Sequence, residues 1–289
     1  MSQSINKSDN ALSGKVCLVT GANSGLGKAT ARELAKMGST VVMVTRSQER
    51  GEAALADVRQ TSGSNQVHLL LADLSSLESI RQLAAQFKAA YSRLDILINN
   101  AGAIFKNRQL SVDGYEMTFA LNHLGYFLLT NLLLDLLKAS APARIVVVSS
   151  GAHIGGPINF DDLMQAKKYR SLVAYGQSKL ANILFTYELA RRLEGSGVTA
   201  NALHPGGVAT GFGQGEGVMG WFFKLIRPFL LTPEKGAETQ IYLASSPEVE
   251  GVTGKYFDKK KPIKSSKESY DMAVAQRLWQ ISEQLTGLA

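Results

Sequence analysis

The sequence has only 1 cysteine, Cys17, which lies inside the apolar run KVCLVT. A single cysteine excludes an internal disulfide framework and a zinc site built from thiolates. The chain also has only 4 histidines, and their positions lack the spacing of metal ligands. We therefore expect no metal site. A reducing compartment fits the single thiol, so we expect a cytoplasmic location.

The chain also lacks an apolar leader and an uninterrupted apolar run. Residues 1–12, MSQSINKSDNAL, contain no h-region of a secretory signal, and we predict a flexible polar tail there. The most apolar long stretch is residues 119–139, in which polar side chains would be costly within a bilayer. The sequence therefore predicts a buried helix there rather than a membrane span. The interrupting residues are Asn122, His123, Asn131 and Asp135.

Acidic residues are fewer than basic ones, with 24 Asp and Glu against 31 Lys and Arg and a net charge of +7. Such an excess suits nucleic acid, an anionic membrane or a phosphorylated ligand. A lysine cluster near the C-terminus has no interleaved aromatic residues to stack on bases, so we expect no nucleic-acid partner. A solvated run and a peripheral membrane contact both stay open for this cluster. Its members are Lys259, Lys260, Lys261, Lys264 and Lys267.

Short β-rich apolar runs alternate with helical patterns along most of the chain, which is typical of βαβ units. No internal repeat or long linker divides the sequence. We predict one doubly wound, Rossmann-type α/β domain over residues 13–289, with helices on both faces of a mostly parallel, seven-stranded sheet. The predicted strands are 15–20, 40–45, 66–71, 94–98, 143–149, 198–203 and 252–257. The predicted helices after the first are 47–61, 76–91, 113–139, 170–194, 233–246 and 269–286.

Two segments, 151–169 and 206–232, do not fit this alternation. Both follow predicted strands, and ligands of open α/β sheets bind at the carboxyl ends of strands. Residues 206–232 begin with several glycines and continue into WFFKLIRPFLL. We predict that this segment is a lid over an apolar substrate. A helix packed permanently on the core or in a subunit interface is the alternative.

The string TGANSGLG, residues 20–27, directly follows the first predicted strand and opens the first helix. Backbone N–H groups at such a turn can face the pyrophosphate of a dinucleotide. Gly21, Gly25 and Gly27 are the key positions. A simple tight turn is the alternative, but the place between a strand and a helix favours the phosphate cradle.

The end of the second strand indicates which dinucleotide binds. A binder of NAD places an acidic residue there for the ribose 2′-hydroxyl, whereas this chain has Thr45 and Arg46. A guanidinium matches a 2′-phosphate, so we expect NADP(H), with a solvated arginine as the alternative. Asp73 follows the third strand, where it either accepts from the adenine amino group or stands beside a helix N-cap.

Tyr175 and Lys179 lie four residues apart in a predicted helix, so their side chains share one face. A phenol with a pKa of about 10 needs neighbouring positive charge to act near neutrality. Tyr256 and Lys260 have the same spacing, but they lie at a strand end and loop where it does not align side chains. Tyr175 and Lys179 are therefore the candidate proton-transfer pair.

Ser150 ends the fifth predicted strand, in VVVSS, where its hydroxyl can bond a carbonyl or alcohol oxygen. Ser149 is its rival, because adjacent strand residues point to opposite faces.

These motifs together resemble the short-chain dehydrogenase/reductase family across nearly the whole chain. TGANSGLG, NNAG at 99–102, Asn122, Ser150, Tyr175 with Lys179, and PG at 205–206 occur in that family's order. The resemblance implies that Tyr175 is the acid or base and that Ser150 binds the substrate oxygen. It also implies that Lys179 holds the nicotinamide ribose and modifies the tyrosine pKa. Asn122 would support a proton-relay water.

The resemblance also implies a set of cofactor-binding residues. Within it, Asn99 and Ala101 would line the cofactor, and Val208 and Thr210 would contact the carboxamide. The full predicted set is Gly21, Asn23, Ser24, Gly25, Leu26, Gly27, Arg46, Asp73, Leu74, Asn99, Ala101, Gly102, Tyr175, Lys179, Pro205, Gly206, Val208 and Thr210.

Longer strings, among them LNHLGYFLLTNLLL, AYGQSKLANILF and HPGGV, resemble the retinol-dehydrogenase-like branch, which is also similar to light-dependent protochlorophyllide reductases. The prediction is an NADP(H)-dependent oxidoreductase that interconverts an alcohol and a carbonyl on a fairly apolar small molecule, as a carbonyl reductase does. The alternative is a catalytically silent dinucleotide-sensing or scaffold protein of the same fold. The sequence leaves a homo-oligomer open.

Overall fold

The computed structural model describes residues 11–207 and 231–289. Its strands are β1 Val16–Thr20, β2 Thr40–Thr45, β3 Val67–Leu71, β4 Ile96–Asn99, β5 Ala143–Val148, β6 Val198–His204, β7 Tyr256–Asp258 and β8 Lys261–Ile263. They form one sheet in the order β3-β2-β1-β4-β5-β6-β7-β8. All neighbouring pairs are parallel except β7 and β8. The chain reverses its strand order between β1 and β4, where α/β proteins bind ligands.

Helices cover both faces of the sheet, which confirms the predicted doubly wound α/β domain. The described helices are α1 Gly25–Lys36, α2 Gln48–Ser62, α3 Leu77–Ala90, α4 Met117–Phe119, α5 Gly125–Leu132, α6 Leu134–Ala139, α7 Ser171–Arg192, α8 Pro233–Ser245 and α9 Met272–Thr286. Side chains of α3, α5 and α7 share one apolar core with the strands. Those of α1, α2 and α8 share the core on the opposite face.

Local signals set several helix ends. The Ser47 hydroxyl accepts from the Arg50 N–H at the start of α2, and Gly63 ends that helix in the left-handed conformation. Gly38 follows α1 with φ +85°, and its N–H donates to the Ala35 carbonyl at 3.0 Å. Polar caps and terminal glycines satisfy backbone groups that a helix end leaves unpaired.

The sheet has eight strands in the described chain rather than the predicted seven. The extra strand, β8, consists of three exposed residues, Lys-Pro-Ile, which carry no alternating apolar pattern. It forms because Lys259 and Lys260, both at positive φ, turn the chain back against β7. The strand predicted at 252–257 also begins later, at Tyr256.

The single helix predicted over 113–139 is interrupted. Between α4 and α5 the chain forms a π turn, Ala120–Leu124, and α5 ends at Leu132 before α6 begins. A π turn holds one extra residue per turn, and such turns are frequent at functional sites. The apolar side chains of α5 are buried, as predicted for this stretch, except that Leu132 is partly buried.

Two predicted segments fall partly outside the described residues. Leu12, the last residue of the predicted tail, is packed, because it is 7% exposed and its N–H donates to the Met37 carbonyl at 2.8 Å. The predicted lid, 206–232, lies largely in the range that the structure does not describe, as do Val208 and Thr210. Their predicted roles stay predictions.

Candidate active site

The glycine loop after β1 is packed against the segment that follows β4. Gly21 has φ +66°, and a Cβ there would lie 2.8 Å from the Ala101 Cα. A Cβ on Gly27 would lie 2.4 Å from the Gly21 carbonyl oxygen. Side chains are excluded from both positions, so the first turn of α1 comes close to β1 and leaves room for a ligand above it.

The start of α1 faces this room with unpaired donors. Ser24 is the N-cap residue, and its side chain makes no capping hydrogen bond. The first N–H groups of a helix have no intrahelical partner, and the helix dipole adds positive potential there. The loop therefore offers an anion site of the kind that holds a pyrophosphate.

A groove of about 440 Å³ runs along the carboxyl ends of β1, β2 and β4. It collects eleven of the predicted cofactor residues, namely Gly21, Asn23, Ser24, Gly25, Leu26, Gly27, Arg46, Asp73, Leu74, Ala101 and Gly102. It is also lined by residues that the sequence analysis did not select: Val44, Thr45, Ser47, Arg50, Ala72, Asn100, Ala103, Ile104, Phe105 and Leu121. Pro205 and Gly206 are described but are not among the lining residues.

The Asn99 side chain does not line the groove. Its side chain is fully buried, and its Nδ2 donates to the Thr130 hydroxyl of α5 at 2.9 Å. Its neighbour Asn100 lines the groove instead and donates from Nδ2 to the Thr20 carbonyl at 2.8 Å. Successive residues at a strand end face opposite ways, so Asn100 rather than Asn99 presents its side chain to the groove, and the cofactor-binding role of Asn99 stays a prediction.

The end of the groove beyond β2 carries two guanidinium groups. Arg46 is the first residue after β2, and Arg50 follows one turn into α2. The Arg46 Nη1 lies 3.9 Å from the Asp73 Oδ2, and the Arg46 side chain is 65% exposed. An exposed pair at that distance is worth little, so the guanidinium is available to a ligand. Arg50 lies four residues after Arg46, in the first turn of α2, and this spacing is the signal that would have identified Arg50.

Asp73 has two neighbours of different kinds. Its Oδ1 accepts from the N–H and the hydroxyl of Ser75, at 2.9 and 2.6 Å, just before Ser76 caps α3. Its Oδ2 faces Arg46 in the groove. The carboxylate therefore stabilises the turn before α3 and also lines the groove.

The structure separates the two serines at the end of β5. The Ser149 hydroxyl donates to the Lys179 carbonyl of α7 at 2.8 Å and is buried. The Ser150 Oγ instead accepts from the Ala152 N–H at 3.2 Å and hydrogen-bonds the phenol of Tyr175. Only Ser150 is placed to meet a substrate oxygen beside Tyr175.

Tyr175 and Lys179 lie on one face of α7, as their spacing predicts. The Lys179 Nζ is 5.6 Å from the centre of the Tyr175 ring and donates to the Val148 carbonyl at 3.0 Å. Burial lowers the pKa of Lys179 to about 7. Burial raises the pKa of Tyr175, and the hydrogen bond with Ser150 opposes that rise. Without the cofactor's charge, burial therefore dominates, and the phenol keeps its proton at neutral pH.

Asn122 lies in the π turn and connects the groove to α7. Its Oδ1 accepts from the Ala103 N–H, and its Nδ2 donates to the Ala103 carbonyl, both at 2.9 Å. The same Nδ2 donates to the Ser178 hydroxyl at 3.0 Å. A Cβ on Gly102 would lie 3.2 Å from the Asn122 Oδ1 and 3.5 Å from the Lys179 Nζ. Gly102 lines the groove, so Asn122 and Lys179 lie next to one of its walls, whereas Tyr175 and Lys179 are not among the lining residues.

A close approach of two glycines sets the distance between Ser150 and Tyr175. The 3₁₀ turn Gly151–Gly155 follows Ser150, and a Cβ on Gly156 would lie 2.0 Å from the Gln177 nitrogen. A Cβ on Gly176 would lie 2.7 Å from the Ala152 carbonyl oxygen. The sequence analysis missed both positions, because the contact joins segments about 20 residues apart.

The surroundings of His123 and of the second Tyr and Lys match exclude both from the site. His123 is a packed histidine: its Nε2 lies 2.9 Å from the Ser282 hydroxyl of α9, and burial lowers its pKa to about 3. Tyr256 is buried in β7, whereas Lys260 pairs with Glu238 of α8 at 2.9 Å. The second Tyr and Lys match therefore forms no pair.

Comparisons with known proteins agree with this geometry. The family model described as short chain dehydrogenase matches residues 15–217. Human retinol dehydrogenase 13 is 49% identical over 282 residues, covering 95% of this chain and 85% of that protein. A crystal structure from Mycobacterium paratuberculosis is 38% identical, has a TM-score of 0.77, and covers 96% of this chain and 94% of its own. The Pseudomonas aeruginosa RhlG/NADP active-site complex is 27% identical, has a TM-score of 0.69, and covers 86% of this chain and 96% of its own.

The expected cytoplasmic location is wrong. The relatives that match this chain include retinol dehydrogenases 11 to 14, which are membrane-associated. Among the described residues, no helix combines the length and apolar character that a membrane span needs.

The family match rests on most of the chain rather than on a local motif. The family model covers more than half of the sequence, and the retinol dehydrogenases match nearly all of it. Enzymes of this family use nicotinamide cofactors. The chain therefore belongs to the short-chain dehydrogenase/reductase family, in its retinol-dehydrogenase-like branch, and is an oxidoreductase of alcohols and carbonyls.

Proposed function

We propose that this protein interconverts an apolar alcohol and its carbonyl with NADP(H), using Ser150, Tyr175, Lys179 and Asn122. One observation carries the proposal: the Tyr175 phenol is hydrogen-bonded to Ser150, and the centre of its ring is 5.6 Å from the Nζ of Lys179, which lies next to Gly102 in the wall of the groove. A catalytically silent sensor would not need a buried lysine beside a buried phenol, since burying such groups is costly.

The groove fits a phosphorylated dinucleotide. The glycine cradle and the first turn of α1 would hold the pyrophosphate, and Arg46 and Arg50 would hold the 2′-phosphate. The similarity to RhlG, whose structure is an NADP complex, supports the same choice. When bound, the nicotinamide supplies or accepts the hydride.

The chain's own side chains would manage the proton and the substrate oxygen. Ser150 donates a hydrogen bond to the carbonyl oxygen, and Tyr175 gives that oxygen its proton as the alcohol forms. The raised pKa of Tyr175 keeps the phenol protonated, which is the form that reduction requires. Lys179 stabilises the tyrosinate that remains, because an ammonium nearby favours an anion.

The substrate class follows from the relatives and from the apolar lining. Several matching proteins are named retinol dehydrogenase, and Ile104, Phe105 and Leu121 line the groove. A long apolar aldehyde, with retinal as the first compound to test, is the proposed substrate for reduction. The alcohol is then the substrate of the reverse reaction.

The test is to follow nicotinamide absorbance with retinal and short aldehydes, using NADPH and NADH in parallel. We expect faster reduction with NADPH, and we expect Tyr175→Phe to lower kcat by about 10²–10⁴-fold while NADPH affinity stays nearly unchanged. A Tyr175→Phe enzyme with more than about a tenth of the rate would assign the proton donor elsewhere. Binding of NADPH with no turnover of any aldehyde would support the sensor.

A further inference from the structure

The peptide group that joins Ser150 to Gly151 is held at both of its polar atoms by histidine rings. The His153 Nδ1 lies 2.7 Å from the Ser150 carbonyl oxygen. The Gly151 N–H donates to the His204 Nδ1 at 3.1 Å. His153 lies in the turn after Ser150, and His204 is the last residue of β6. Two rings from different elements therefore hold the backbone next to the Ser150 hydroxyl.

The hydrogen bonds fix the tautomer of each ring. The His153 Nε2 accepts from the Ser266 N–H at 3.0 Å, so its proton is on Nδ1, which donates to the Ser150 carbonyl. The His204 Nδ1 accepts from a backbone N–H, so it carries no proton. Both rings must be neutral for these bonds to form, since a second ring proton would face an N–H donor.

The surroundings of the two rings favour the neutral form. His153 is 4% exposed, and its ring packs edge-to-face with the Tyr256 ring, with the ring centres 5.1 Å apart. Burial lowers the pKa of both rings, although the Ser150 carbonyl and Glu268 act against this at His153. At His204, Asp258 raises the pKa, whereas His153 and Lys259 lower it. The charged groups near the two rings therefore include both signs, and burial has the largest effect on the pKa of each ring.

We propose that His153 and His204 are positioning residues that hold the Ser150 hydroxyl in register with the substrate oxygen. The proposal rests on the proposed role of Ser150. The Ser150 side chain is the N-cap of a short 3₁₀ turn, and its bond to the Ala152 N–H spans only two residues. His153 and His204, which we call the histidine clamp, connect that turn to β6 and to the loop before α9. A displacement of about 1 Å at a reacting group can cost about 10²-fold in rate.

The test compares two substitutions of His204 that differ in one hydrogen bond. His204→Asn keeps an acceptor near the Nδ1 position, whereas His204→Leu removes it at similar volume. We expect His204→Leu to lower kcat about 10- to 100-fold with the Kd for NADPH unchanged, and His204→Asn to restore kcat to within about threefold of the original enzyme. A merely structural role predicts a parallel loss of stability and no rescue.

A double-mutant cycle with Ser150→Ala separates the clamp from general damage. If the clamp acts through Ser150, His204→Leu has little further effect on kcat once the hydroxyl is gone. If the double variant lost kcat by the product of the two single losses, the proposal would be overturned. Full activity of His204→Leu would also overturn it. Full activity of Ser150→Ala would instead reject the proposed function, and the clamp with it.

The other ring provides the same comparison if His204→Leu fails to fold. His153→Asn keeps a donor for the Ser150 carbonyl, and His153→Leu removes it. We expect the asparagine variant to exceed the leucine variant in kcat by about tenfold, with equal NADPH affinity. Equal kcat values for the two variants would overturn the proposal.

Discussion

The two ends of the site are built in different ways. At the cofactor end, backbone atoms from one short segment, residues 20–27, form the cradle, and absent side chains create its space. At the catalytic end, side chains from the π turn, β5 and α7 meet, and their bonds to backbone carbonyls fix them. The cradle is therefore sensitive to added volume, whereas the catalytic end is sensitive to lost hydrogen bonds and to charge.

Substitution of Gly27 tests the cofactor end most strongly. In Gly27→Val, the Cβ would overlap the Gly21 carbonyl oxygen at 2.4 Å. A backbone atom cannot move aside as a side chain can, so we expect NADPH affinity to fall by at least about 100-fold, or about 3 kcal/mol. Titration of NADPH by calorimetry measures this. Gly155→Val is the matched control, because nothing lies within 4 Å of its added Cβ. Unchanged NADPH affinity in Gly27→Val would contradict the explanation that the cradle depends on the absence of a side chain at this position.

Substitution of Arg46 tests a charged side chain at the cofactor end. Arg46→Ala removes a charge-assisted contact worth about 1.5–3 kcal/mol, so we expect NADPH to bind about 10- to 100-fold more weakly. NADH lacks the 2′-phosphate, and its affinity is the internal control. Stability should change little, because the Arg46 pair with Asp73 is exposed and 3.9 Å long. Equal affinity of the unmodified protein for both cofactors would contradict the assignment.

Substitution of Gly156 tests whether the catalytic end is also sensitive to added side-chain volume. Gly156→Ala places a Cβ 2.0 Å from the Gln177 nitrogen and forces the turn after Ser150 away from α7. We expect a loss of about 1–3 kcal/mol in the free energy of unfolding and a lower kcat with unchanged NADPH affinity. Gly155→Ala, with open space around it, should change neither. Identical thermal midpoints and kcat values for the two variants would show that the close approach is not needed.

Substitution of Lys179 should have the smallest effect, which is a change in how the stability of the cofactor-free protein depends on pH. Its pKa is lowered to about 7 by burial, so between pH 7 and its unfolded pKa of about 10.4 the unfolded state binds more protons. The free energy of unfolding therefore gains up to about 1.4 kcal/mol per pH unit from this group as pH rises. Lys179→Met should remove about 1 kcal/mol of the gain between pH 7 and 8, measured by urea unfolding. Parallel curves for both proteins would place the lysine pKa higher.

The sequence predicts most of the fold and the local parts of the site. The glycine loop and the Tyr175 and Lys179 pair are identified because each signal lies within one turn or one loop. The doubly wound sheet follows from the alternation of strands and helices. Where the signal was weak, as in the exposed Lys-Pro-Ile of β8, the strand was missed.

The rest of the site depends on contacts between distant segments. Asn99 and Asn100 are chemically identical neighbours, and only the register of β4 decides which one faces the groove. The approach of Gly156 to α7 and the histidine pair around Ser150 join residues about 20 and 50 apart in sequence. No periodicity along the chain encodes such pairs, because tertiary packing creates them.

His123 follows Asn122 in the π turn and binds Ser282 of α9, so α9 supports the turn that holds Asn122. Tyr115 reaches the same helix, donating to the Leu285 carbonyl at 2.8 Å. A premature stop codon after residue 271 would leave every residue of the proposed site in the translated chain, yet remove this support. We expect such a product to be inactive, and full activity from it would show α9 to be dispensable. Damage near the 3′ end of the coding sequence should therefore have the same effect as damage to the active site.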